Sequence, residues 1–85
     1  MHISESDLDE LREAGFHLEG AIHDTFSVYT RYREDHEAFD VIIAESVFSY
    51  SAFTAYPARR VKMDEFDTTT VATVAQALNW LEEHA

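Results

Sequence analysis

The chain reads as an α+β protein. The expected architecture is a small antiparallel sheet of three to four strands with an N-terminal and a C-terminal helix packed on one face, in the order α-β-β-β-α. Three observations predict it. The stretch Phe39 to Tyr56 (FDVIIAESVFSYSAFTAY) is the most apolar in the sequence, and its β-branched and aromatic residues favour strands over helix. Apolar residues recur at helical spacing near both ends of the chain. Between them, the polar Glu34–Glu37 separates two alternating segments at hairpin-loop length.

Residues 1–85 form one domain, because a chain this short has no room for a second core. Hydrophobic residues at 46 %, with six Phe, four Tyr and one Trp, argue against disorder. The absence of cysteine excludes a disulfide framework and a thiolate metal site, and fits a reducing, cytoplasmic setting. No secretory leader is visible, since Met1 to Gly15 is polar and acidic. Phe39 to Tyr56 carries Asp40, Glu45 and several hydroxyls, which make it a poor membrane span.

Met1 to Gly15 reads as a helix with clear punctuation. Ser4 is the expected N-cap, with Asp7 three residues on; Ile3 and Leu8 are spaced as a hydrophobic staple, and Gly15 supplies the stop. Leu8, Leu11 and Ala14 form the buried stripe, while Glu5, Asp9 and Glu13 line an outer face with Asp7 and Glu10 nearby. Like charges four apart each cost about 0.2–0.5 kcal/mol, so the row is either a solvated face or a surface presented to something.

Phe16 to Asp24 is a short strand or an extended connector. Thr25 to Arg33 alternates more clearly: Phe26, Val28, Thr30 and Tyr32 share one face, and Ser27, Tyr29, Arg31 and Arg33 the other. Ala38 to Ala44 and Val47 to Tyr56 are the next two strands, ended by Pro57. Their alternation changes parity at residues 44–47, which implies either a turn or a bulge there. Arg59, Arg60 and Lys62 flank a possible short edge strand at Val61 and Met63, or pair with acids of the first helix. Asp67 or Thr68 is the expected cap of the last helix, whose stripe is Val71, Val74, Ala75, Leu78 and Leu81, with Trp80 beside it.

This order resembles that of double-stranded-RNA-binding domains, in topology alone. Those domains place lysines at the start of their second helix to grip phosphates. Here the position reads Asp67, Thr68, Thr69, Thr70, which excludes RNA binding by that route.

Chemistry leaves few marks. The five histidines have no helical pair and no zinc-type spacing, so no metal and no cofactor is expected. No carboxylate pair, nucleophile elbow or phosphate loop stands out, and the chain is expected not to be an enzyme. Charge is the strongest global feature. Seventeen acids against six bases give −11, and residues 1–24 alone hold seven acids and one base. Such a field repels nucleic acid and anionic membranes and attracts basic surfaces; solubility, or adaptation to a salty cytoplasm, would account for the same acidity.

The resulting expectation is a small acidic protein-binding module. Its sharpest form is an inhibitor that occupies the basic nucleic-acid-binding surface of a partner protein. In size and charge, though in no motif, it resembles small acidic phage inhibitors of restriction or CRISPR complexes and the immunity proteins of nuclease toxins. The expected contacts are Glu5, Asp7, Asp9, Glu10 and Glu13, then Glu34, Asp35 and Glu37. The alternative is a homo-oligomer, such as a dimer, joined through an aromatic sheet face. On the strand phases above, Tyr29, Arg31, Arg33, Ile42 and Phe53 are expected to emerge opposite the helices, with Tyr29 and Phe53 as anchors.

Overall fold

The computed structural model describes residues 3–22, 26–46, 49–55 and 68–83. Helix α1 (Glu5–Glu13) leads into strands β1 (His17–Ile22), β2 (Phe26–Arg33), β3 (Ala38–Ser46), β4 (Ser49–Ala55) and β5 (Thr68–Val71), and helix α2 (Val74–Glu83) follows. The strands form one antiparallel sheet in chain order. The architecture is α+β as expected, with five strands in place of three or four.

Both ends of α1 are fixed locally. The Asp7 amide donates to Ser4 Oγ at 3.3 Å, the capping geometry its spacing implies. Ile3 is buried and Leu8 packs against the core, as a staple requires. At the other end Gly15 N–H donates to the Arg12 carbonyl and Phe16 N–H to the Leu11 carbonyl, a Schellman motif. Gly15 sits at φ 91°, a left-handed conformation that a side chain would strain. The motif also brings Leu11 and Phe16 into the same core.

The first difference from the sequence reading lies at 68–71. Thr68 is not a helix cap: Thr68–Val71 pairs with β4, and Val71 belongs to that edge strand. Four consecutive residues that are β-branched gain more from a sheet edge than from a helical turn. The α2 cap is Thr73. Its hydroxyl accepts from the Gln76 amide at 3.2 Å, while Gln76 Oε1 accepts from the Thr73 amide at 3.2 Å. This reciprocal pair is a capping box, and Thr-x-x-Gln was legible in the sequence. Val74, Ala77 and Leu81 form the buried stripe, and Ala75 is exposed. Asp67 and the bases Arg59, Arg60 and Lys62, with the edge strand suggested at Val61 and Met63, lie outside the described residues.

At 44–46 the register shifts between Ala44 and Ser46, a bulge, and β4 begins at Ser49. The parity change therefore includes a bulge beside the reversal of the chain. On the loop side, Glu34–His36 forms one 3-10 turn and Glu37 closes it at φ 49°, so that Arg33 pairs with Ala38.

The core lies between the helices and one face of the sheet. Tyr29, Ile42 and Ala52 stand opposite one another across β2, β3 and β4, with Ala44 and Tyr50 beside them. All five pack with Leu11 of α1 and with Val74, Ala77 and Leu81 of α2. The second difference is therefore one of face. Tyr29, Arg31, Arg33 and Ile42 point to the helix side, not away from it. Phe53, of opposite parity, lies on the other face as expected.

Candidate functional surfaces

Four groups are brought together at the helix side of β2 and β3. Arg31 stands directly opposite Asp40 in the register. Its Nη2 donates to Asp40 Oδ2 at 2.6 Å, and its Nη1 donates to the Ala14 carbonyl at 3.0 Å, at the negative end of the α1 dipole. The same guanidinium lies 4.7 Å from the centre of the Phe16 ring. Arg33 Nε donates to Asp40 as well, and its Nη2 donates to Glu82 of α2 at 2.6 Å. Thr54 of β4 donates to the remaining oxygen of Asp40 at 3.4 Å.

Asp40 is only 1 % exposed, so its charge is tolerable because these partners surround it. Burial opposes the charge of Arg33, but the bonds and charges of Asp40 and Glu82 outweigh it and raise its pKa. The four ionised groups cancel. They clamp the C-terminal ends of both helices to the sheet and supply no free charge for a ligand. A wide, open depression beside them is lined by Arg33, Glu34, Asp35 and Glu82.

The acids of α1 divide into two kinds. Glu5, Asp9 and Glu13 are exposed, Glu10 is half-buried, and none of the four is ion-paired with a described residue. Asp7 faces inward: it accepts a 2.6 Å hydrogen bond from the buried Tyr50 hydroxyl. Burial, then the Asp7 carboxylate, pushes the Tyr50 pKa up. Asp7 is thus a structural acceptor rather than an outward contact. Glu34, Asp35 and Glu37 are exposed at the tip of the β2–β3 hairpin. The bond from Arg31 to Ala14 sets the C-terminal end of α1 beside a β2 residue three positions before Glu34.

The opposite face of the sheet carries Val28, Thr30 and Tyr32 from β2, Phe39, Val41 and Ile43 from β3, and Ser51 and Phe53 from β4. Neither described helix covers it. Tyr32 is 52 % exposed and its ring centre lies 5.0 Å from that of Phe39. Two acids border this face, and each accepts from a hydroxyl on the adjacent strand: Thr30 donates to Glu19 at 2.9 Å, and Ser51 donates to Glu45. The aromatic sheet face exists, but its members differ from the sequence reading. Tyr29, 6 % exposed beneath α1, is a core residue.

Among the described residues no group of three or more His, Asp or Glu could hold a metal ion, and no helix is long and apolar enough to cross a membrane. Comparison with protein-family models, curated proteins and solved structures gave no match to this chain.

Proposed function

We propose that this chain is a small acidic module that binds the basic, nucleic-acid-binding surface of a partner protein. The observation that carries the reading is the unpaired acid row of α1. Glu5, Asp9 and Glu13 follow one another at about 6 Å along the helix. With Glu10 they place four carboxylates over about 12 Å of helix axis, a mean axial spacing of ~4 Å, of the same order as the ~3.4 Å between phosphates along one strand of duplex DNA. Glu34, Asp35 and Glu37 extend the acidic surface at the hairpin tip. Asp7 and Tyr29 drop out of the contact set, because the fold uses both internally.

Capture of partners on the tagged chain from nuclease-treated host lysate tests this. A basic nucleic-acid-binding protein should be retained at low salt, released by high salt, and lost with Glu5→Lys, Asp9→Lys, Glu13→Lys. Retention by the charge-reversed variant refutes the reading.

A second reading, a homodimer through the open sheet face, is favoured by exposed Tyr32, whose ring packs against half-buried Phe39. The described part of that face carries no base and only the two tethered acids Glu19 and Glu45. Two copies could therefore meet there while the α1 acids point away from one another. Light scattering of the wild type against Tyr32→Glu distinguishes the readings, and a monomeric wild type removes this one.

A further inference from the structure

We propose that the cleft between α1 and the β1–β2 pair binds an apolar monocarboxylate, its chain against Leu8, Phe16 and Leu18 and its carboxylate on Arg12. The cleft measures about 460 Å³, within the range of small-ligand sites, and Leu11 and Tyr29 complete its apolar wall.

Three observations point to an occupant. Leu18 stands opposite Tyr29 on the helix side of the sheet, yet it is 63 % exposed, because α1 covers the tyrosine and not the leucine. Burial on that face is unfinished at this edge. Tyr29 is more than nine-tenths buried, and its hydroxyl has no hydrogen-bond partner among the described residues. Tyr29 lines the cleft, and its phenol lies near that of Tyr50, whose pKa is raised by burial, then by Asp7, then by Tyr29. Tyr29 and Ser27 bring hydroxyl-bearing side chains to the wall beside Arg12 and His17.

Arg12 supplies the charge. Arg31 and Arg33 are held by Asp40 and Glu82, whereas exposed Arg12 is ion-paired with no described acid despite its place on an acid-rich helix. His17 also lines the cleft, and no carboxylate does. Glu5 and Asp9 share a separate depression with Leu8 and Arg12. A guanidinium next to apolar side chains selects an anion with an apolar tail over an amine of the same length. The cleft adjoins the outer acid row, with which it shares Leu8 and Arg12.

The test is an NMR titration of the full chain with sodium octanoate, n-octanol and n-octylamine, each kept below its aggregation limit. Octanoate should bind saturably, moving the amides of Leu8, Phe16, Leu18 and Tyr29, and more tightly than either analogue. Arg12→Gln, at an exposed position of a good helix former, should weaken octanoate about tenfold and leave octanol unchanged. Tyr29→Phe should weaken octanoate several-fold without loss of fold, and Leu18→Ser should weaken octanoate and octanol alike. Octylamine binding as tightly as octanoate overturns the proposal. So does an Arg12→Gln variant of unchanged affinity, or a set of shifts centred on Tyr32, Phe39 and Ile43.

Discussion

On the helix side of the sheet, the central strand pair carries Arg31, Arg33 and Asp40; on the open side the same two strands carry Thr30, Tyr32, Phe39 and Val41. Polarity alone would assign these faces the other way round. The charges can lie inward because the ends of both helices arrive there with complementary groups, the Ala14 carbonyl from α1 and Glu82 from α2. A buried charge is tolerated when it is matched, and here the matched groups come from five separate elements, α1, β2, β3, β4 and α2. Neither described helix lies above the open face, and it carries aromatic rings and tethered hydroxyls instead.

The largest break in this comparison should come from Asp40→Ala. It leaves two guanidiniums partly buried without their shared acceptor, and about 3–5 kcal/mol of stability should be lost in urea denaturation. Replacing all three charges with apolar residues of similar volume should recover most of that loss. If the single variant is harmless, the cluster is not what holds the helix ends.

Neighbouring isoleucines sharpen the contrast. Ile42 is fully buried on the helix side and Ile43 half-buried on the open side. Ile42→Ala should cost about 2–5 kcal/mol and Ile43→Ala roughly 1 kcal/mol. Equal costs would mean that the open face is as fully covered as the other.

Tyr50→Phe should cost about 1–2 kcal/mol near neutral pH, by removing the donor to Asp7. The folded state holds the Tyr50 pKa above its ordinary value of 10.0. Its contribution is therefore complete below that pH, and is lost as the pH rises towards the folded pKa. An alkaline titration of unfolding should show wild-type stability falling above about pH 10 and the variant falling less steeply.

The smallest effect expected is a gain. Glu37 adopts φ 49° at the end of the hairpin loop, and Glu37→Gly should stabilise the chain by about 0.5–1 kcal/mol in thermal denaturation. Loss of stability instead would assign Glu37 a contact worth more than its backbone strain.

Local signals carried far in this chain. Ser4, Ile3, Leu8 and Gly15 delimit α1, and the four-residue loop Glu34–Glu37 fixes the β2–β3 register. That register was sufficient to place Arg31 opposite Asp40, since pairing Arg33 with Ala38 leaves no other choice. An Arg–Asp pair across strands suits a matched interior as well as a solvated face, so the register alone does not choose the side. At β5 and α2 the apolar spacing of Val71, Val74, Leu78 and Leu81 extended the helix one turn too far, although Thr73 and Gln76 marked its true start.

The sequence by itself determined α1 and its caps, the order of strands β2 to β4, the hairpin and the outward acids Glu5, Asp9 and Glu13, because each depends on neighbours within a few residues; whether Phe16 to Asp24 forms a strand stayed open. Tertiary structure alone decided which face of the sheet meets the helices, that Asp7 and Tyr29 belong to the interior, and that α1 stops short of Leu18 to leave a cleft. Those outcomes depend on where the far ends of α1 and α2 meet the sheet. A strand whose two faces are both half apolar carries no local signal of that choice.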